Sequence, residues 1–282
     1  MLTRLPASAG VGLKPEHYRA MFEAQGRDGL WAEVHAENYM VDGGPRLAWL
    51  ELIAERRPVS LHGVGLSLAG PGPIDEGHLQ RWVRLTGRID AAAISEHASW
   101  SVADGEYFAD LLPAAATREA LHRLCANIDR MQTALRRPIL IENAAHYLPL
   151  KGEMAEPDFL GEACRRTGCG LILDLNNIFV SARNLGRDPI DHLDAVEPAH
   201  VGEIHIAGHA PDPVYGDDLL IDTHGAPVAA GVWDLLDRAL KRFGLRPVLI
   251  ERDAALPPFD DLIAERDRAE ASILRSTAPH HV

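Results

Sequence analysis

Residues Gly202–His224 read G-E-I-H-I-A-G-H-A-P-D-P-V-Y-G-D-D-L-L-I-D-T-H. The stretch opens as a β-strand, because Val201, Ile204 and Ile206 are β-formers, and it breaks into loops at Gly208, Pro211, Pro213 and Gly216. It also holds His205, His209, Asp222 and His224. Imidazoles and carboxylates are ligand types for zinc, iron or manganese, although single residues of this kind also serve as ordinary loop polar groups. A strand that ends in ligand-like side chains is the unit that recurs along this chain, and the recurrence decides the fold.

Outward from this stretch, short apolar segments alternate with amphipathic ones. Strands are expected at Gly10–Leu13, Leu30–Asn38, Pro58–Leu66, Ala91–His97, Pro138–Asn143, Gly170–Asn176, Val201–Ile206 and Pro247–Glu251. Between them the spacing predicts a helix after Pro15, with Tyr18, Met21 and Phe22 on one face. Further helices are expected over 47–56, 75–89, 117–136, 156–167, 188–197, 230–243 and 259–274. Asp75 and Glu76 give the third helix an acidic first turn, Thr117 is a candidate N-cap, and Gly168 and Gly244 are stop signals. Eight strands alternating with eight helices is the order of an α/β (β/α)8 TIM barrel. We expect one domain over 1–282, with the barrel at about 10–275 and a short C-terminal tail. The competing doubly wound sheet would often carry a Gly-rich nucleotide turn. The nearest candidate, G-V-G-L-S-L-A-G at 63–70, lacks the GxGxxG spacing.

The 282 residues are 46% hydrophobic, ample for a large core. A formal charge of −13 argues against a general nucleic-acid binder, which needs a basic face. Cys125, Cys164 and Cys169 form no CxxC pair and read as structural residues, two on helices and one entering a strand. There is no secretory apolar region near the start and no run of roughly 20 apolar residues to cross a membrane. A soluble, cytoplasmic protein is the expectation.

In a barrel the chemistry gathers at the C-terminal strand ends. The second strand ends with Glu33, His35, Glu37 and Asn38, the third carries His62, and the fourth ends with Glu96 and His97. Glu142 and Asn143 end the fifth, Asp174, Asn176 and Asn177 the sixth, and His205 and His209 follow on the seventh. Asp222 and His224 lie in the next loop, and Glu251 and Asp253 end the eighth strand. One such residue would be bland, as a satisfied histidine, an N-cap or a turn residue. Seven strand ends converging on one mouth would instead set several carboxylates against each other, a repulsion that cations relieve. The inventory suffices for two or three ions, with a carboxylate such as Glu142 bridging a pair. Donors without thiolate suit iron, manganese or zinc and do not choose among them.

The segments E-V-H-A-E-N-Y-M, V-S-L-H-G-V-G-L-S-L, S-E-H-A-S-W, I-E-N, L-D-L-N-N, G-E-I-H-I-A-G-H and I-D-T-H-G-A-P-V, in this order along nearly the whole chain, resemble the multinuclear non-haem iron-dependent oxidases. The resemblance implies a TIM barrel with two or three iron ions. It implies O2-dependent oxidation of a ribosomally made precursor peptide, commonly at cysteine, and often a separate partner protein that recognises the peptide. By motif it implies that His62, His97 and Glu142 hold one iron. Glu142, Asp174, His205 and Glu251 would hold a second, and Asn177, His209, Asp222 and His224 a third. Glu33, His35, Glu37, Asn38, Asn143, Asn176 and Arg252 would then surround the ligands or meet substrate.

Two positions depart from the family pattern. I-E-R-D at 250–253 puts Arg252 where an aromatic residue is usual, and the fifth strand runs on to His146. Asp253 is the candidate acid/base, its bland role being an ion pair with an arginine such as Arg252. The alternative function is a metal-dependent hydrolase or isomerase on a similar barrel.

Overall fold

The computed structural model describes residues 2–24, 26–103 and 105–277. Most of the expected tail lies outside the described residues. The chain runs β1 (Ala9–Gly12), α1 (Tyr18–Glu23), β2 (Ala32–His35), α2 (Pro45–Ala54), β3 (Val59–Gly63), α3 (Glu76–Arg88) and β4 (Ala93–His97). A hairpin of β5 (Ser99–Ala103) and β6 (Glu106–Pro113) follows, then α4 (Arg118–Leu135), β7 (Leu140–Glu142), α5 (Glu156–Thr167) and β8 (Gly170–Asp174). Next come α6 (Leu175–Leu185), α7 (Pro189–Ala195), β9 (Val201–Ile206), and a second hairpin of β10 (Ala210–Asp212) and β11 (Gly216–Ile221). The chain ends with α8 (Ala230–Phe243), β12 (Val248–Ile250) and α9 (Phe259–Thr277).

Strands β1, β2, β3, β4, β7, β8, β9 and β12 close into one parallel barrel, as the alternation predicts. The seam joins the first strand to the last, with Ala9 opposite Val248 and Val11 opposite Ile250. The floor admits close packing. A Cβ on Gly10 would sit 2.3 Å from the Trp31 ring, so only glycine lets that indole fill the barrel there. The Trp31 Nε1–H donates to Ser8 O at 3.1 Å. The outer helices lay their apolar faces on the sheet, as with Leu121, Leu124, Ile128 and Met131 of α4. Thr117 caps α4 by accepting from Ala120 N, Asp75 caps α3 by accepting from His78 N, and α5 stops at left-handed Gly168. The three cysteines are buried and free.

The structure corrects three expectations. The strands predicted at 30–38 and 170–176 end at His35 and Asp174, because a helical turn begins at once in each case. Asp174 accepts from Asn177 N and so caps α6, a helix absent from the sequence reading. The segments after the fourth and seventh strands are hairpins rather than plain loops; Gly105 at φ +81° and Gly216 at φ +58° make their turns. Among the described residues no helix is long and apolar enough to cross a membrane.

Candidate metal centre

Side chains alternate between the barrel lumen and the helix layer, so a residue of the right parity at a strand's C-terminal end points into the mouth. His62, His97, Glu142, Asp174, His205 and Glu251 reach it from six strands, each at most 7% exposed. They form two sets. The donor atoms of His62, His97 and Glu142 lie within 4.8 Å of one another, and so do those of Glu142, Asp174, His205 and Glu251. Glu142 belongs to both. Its Oε2 lies 3.1 Å from His62 Nε2 and 3.5 Å from His97 Nε2, whereas Oε1 lies 3.4 Å from His205 Nδ1. His205 Nδ1 is also 3.5 Å from Glu251 Oε1.

The second nitrogen of each imidazole is held from behind. His62 Nδ1 meets Ser95 Oγ at 2.8 Å, and His97 Nδ1 donates to Gly63 O at 3.0 Å, so both rings turn Nε2 inward. Gly63 makes room for this. A Cβ there would fall 2.4 Å from Glu96, whose carboxylate accepts from Leu66 N and His97 N. His205 is reversed: its Nε2 faces Glu203 Oε1 at 3.3 Å and Glu33 Oε1 at 3.6 Å, which leaves Nδ1 for the mouth. Glu33 in turn accepts from Ser60 Oγ at 2.7 Å. Backing of this kind fixes the ring tautomer of a metal-bound histidine.

Glu142 Oε2, Asp174 Oδ2, His205 Nδ1 and Glu251 Oε2 are buried without a hydrogen-bond partner. An orphan of that sort costs roughly 1–3 kcal/mol, and four converge here. A cation uses those lone pairs, so the residues fit a metal. The nitrogen and oxygen donor set suits iron, manganese or zinc.

The charges point the same way. Burial would raise the Glu142 carboxyl, but His205, His97 and His62 hold it well below the usual range. Glu251 is likewise brought down to about 2 against burial, chiefly by His205 and His224. Burial, then repulsion from Glu142 and Glu251, pushes Asp174 well above its ordinary value. Burial opposes charge on His62, but Glu33 and Glu142 lift it to about 10. Protons and metal ions thus compete for one buried anionic cluster.

The third expected set is less tightly drawn together. His224 Nε2 lies 2.7 Å from Asp222 Oδ1, and its Nδ1 lies 3.7 Å from Glu251 Oε2. Asn176, rather than Asn177, joins this group: it donates to Asp222 at 2.6 Å and meets His209 Nδ1 at 2.8 Å. Half-buried His209 stacks on Phe179 at 5.1 Å. Asn177 donates to Asn143 O, and its own carbonyl oxygen is an unpartnered buried atom. His224 is held at φ +49°, a left-handed conformation that non-glycine residues enter at a cost.

Of the surrounding residues, Glu33 comes close enough to His62 and Glu251 to count as a ligand itself. Asn143 clamps Asp174, donating to its carbonyl and accepting from its amide. Glu37 accepts from Val64 N and Gly65 N and pairs with His78, holding the turn after β3. Asn38 is exposed, near His35 and Lys14. Arg252 does not pair with Asp253. It is buried, and its guanidinium meets Glu265 of α9. Asp253 instead pairs with Lys14, with His224 at 3.2 Å and with His35 at 3.6 Å.

Sequence reasoning missed Glu203 and Lys14. Glu203 was within reach of it, since period two places residue 203 on the same strand face as His205. Lys14 carries no local signal, because its partner lies at the far end of the chain.

A family profile described as "RiPP precursor modification enzyme MbnB/TglH/ChrH" matches residues 8–274. A UPF0276 protein of Caulobacter vibrioides (strain NA1000 / CB15N) is 58% identical over 266 residues, 94% of each chain. Among solved structures, endonuclease IV from Thermus thermophilus aligns with a TM-score of 0.62 at 16% identity, covering 96% of this chain and 100% of that one. IOLI protein with a bound zinc atom aligns at 0.58 with 13% identity over 96% of each chain. At such identities these two structures share the fold.

Proposed function

The chain belongs to the MbnB/TglH/ChrH family of RiPP precursor modification enzymes, and from that premise we propose that it is a multinuclear non-haem iron oxidase acting on a precursor peptide at cysteine with O2. The observation that carries the reading is Glu142, whose two oxygens face different imidazole sets. A carboxylate so placed would be able to serve two ions. His62, His97 and Glu142 would hold one iron, and Glu142, Asp174, His205 and Glu251 the next, with Glu33 close to both. A third would use His224, Asp222 and His209 with Asn177 or, on the observed contacts, Asn176. Bound there, iron would supply redox chemistry toward O2 and acidify a substrate thiol.

The chain's own groups supply the rest. Ser95, Gly63 O and Glu203 orient the three imidazoles. The buried walls keep bulk water from the lumen. Asp253 is the acid/base group, and its setting defines how it works. Burial would raise its carboxyl, but His224, His35 and Lys14 hold it well below the usual range. Alone it is a weak base, so a proton taken from the substrate would rest on Asp253 Oδ2 in the hydrogen bond it shares with His224 Nδ1. The peptide, and a separate protein that recognises it, are the proposed partners, and the cytoplasm the proposed compartment.

The test is the metal content and oxygen dependence of protein expressed with iron and purified without oxygen. More than one iron per chain is expected. O2 uptake with a cognate Cys peptide should accompany loss of hydrogen or a larger oxidative rearrangement in its mass. One tightly held zinc with no iron binding would overturn the reading and favour a hydrolase.

A further inference from the structure

A cavity of about 670 Å³ opens between α5, α6, α7 and the loop after β7. That volume lies within the range of ligand pockets. Ile178, Ser181, Ala182 and Leu185 of α6 line it at the spacing of one helical face. Met154, Phe159 and Leu160 form the opposite wall.

No proposed ligand lines the cavity, but two of its lining residues adjoin proposed ligands in the chain. Ala98 follows His97, Ile178 follows Asn177, and both line the cavity. The same β7 loop that leaves Glu142 carries His146 into it. Of the titratable groups inside, His146, Glu156 and His192 face one another, while Arg187, Asp188 and Asp191 line the same cavity. His146 Nε2 and Glu156 Oε1 are 3.1 Å apart, and His192 Nδ1 lies 3.9 Å from the other oxygen of Glu156. The apolar residues of the two facing walls are the part of the lining that the inference uses. Leu150 lines the rim yet is 42% exposed, and Leu148 beside it is 71% exposed. Apolar surface left facing water at a cleft mouth marks a site for something apolar.

We infer that this cavity receives an aliphatic or aromatic side chain of the substrate peptide, near in sequence to the cysteine presented at the metal centre. The inference rests on the peptide-oxidase reading. A peptide with one residue at the lumen must lay its neighbours over the adjoining loops, and Ala98 and Ile178 of this cavity directly follow two proposed ligands in the chain. It would select the peptide by an apolar residue at a fixed spacing from the cysteine. His146, which departs from the family pattern, forms part of its wall.

The experiment uses protein loaded with Fe(II) without oxygen, and two synthetic series, Ac-Cys-Glyₙ-Phe-NH2 and Ac-Cys-Glyₙ-Gly-NH2, with binding read by calorimetry. At one spacing the Phe peptide should bind roughly tenfold more tightly than its Gly partner, the gain expected from burying an aromatic ring. Ala155→Trp, which fills the exposed rim at the start of α5, should abolish that gain and leave the Gly series unchanged. Leu150→Asp should do the same, so a folding failure of either variant leaves the other to decide. A Gly series that binds while Phe gains nothing at any spacing would overturn the pocket and spare the metal reading. So would a Phe gain that survives both variants. Failure of both series to bind the loaded wild type would overturn the thiol-peptide reading, and the pocket with it.

Discussion

Glu203 Oε1 lies 3.3 Å from His205 Nε2, two residues along one strand, and both side chains are fully buried. A carboxylate placed behind an imidazole decides which ring nitrogen faces the mouth. Without Glu203, Glu33 at 3.6 Å is the remaining carboxylate behind the ring among the described residues. Glu203→Ala should weaken metal at the Glu142–Asp174–His205–Glu251 set by about 10–100-fold, the usual effect of losing such a partner. Metal titration checks this, and unchanged affinity would show that the contact does not orient His205.

Glu142→Ala should remove more than one metal equivalent, because both inner sets contain Glu142. His224→Ala should empty one site at most. Loss of Glu142 also strands buried imidazoles, so destabilisation of about 3–5 kcal/mol is expected. Elemental analysis with thermal melting reads both effects, and equal single-ion losses in the two variants would rule out bridging.

Asp253→Asn keeps an acceptor for His224 and Lys14 but loses the charge. Metal content should persist while turnover slows by roughly 10²–10⁴-fold if Asp253 takes the substrate's proton. Full activity would remove Asp253 from the mechanism and leave the metal centre standing.

Metal loading should release protons at pH 7. His62, lifted to about 10 by Glu33 and Glu142 against its burial, carries a proton at that pH that a metal must displace. Metal affinity should therefore fall as the solution is acidified. Calorimetry in two buffers of different ionisation enthalpy counts the protons; identical heats would contradict a protonated His62.

Glu156 gives a stability signature away from the metals. Burial would raise its carboxyl, but the hydrogen bond and charge of His146 bring it below the usual value. A depressed folded pKa contributes stability that is present above the unfolded value, about 4.3, and lost as pH falls through the folded one. Glu156→Gln should therefore be less stable than wild type at pH 7, with the gap closing on acidification below about pH 4. Denaturant melts across that range test the sign.

The barrel is legible because seven of the eight strands end in the same way. Val201–Ile206 is placed to the residue, and the caps at Thr117 and Gly168 act as read. The strand ends at His35 and Asp174 are harder to place, since Asp174 serves both strand and helix and only its cap bond shows which wins. The hairpin at 99–113 has a sequence signal in the Asp-Gly pair at 104–105. At the site, strand-end position offers the inner six among many other polar residues, and the choice of those six is what the family resemblance implies. Which nitrogen of each ring faces inward depends on Ser95, Gly63 and Glu203, whose proximity exists only after the barrel closes. The partners of Arg252 and Asp253 escape the sequence for a similar reason: both residues follow β12, and their partners, Glu265 and Lys14, come from distant parts of the chain.

Because the seam joins β1 to β12, the six inner residues are gathered only when the last strand is in place. On a ribosome, Glu251 emerges nearly 190 residues after His62, so the nascent chain holds scattered imidazoles long before it holds a centre. Ions caught early would be bound loosely and exchanged. On the proposed reading, a chain cut short before β12 would lack Glu251 and hold an incomplete centre.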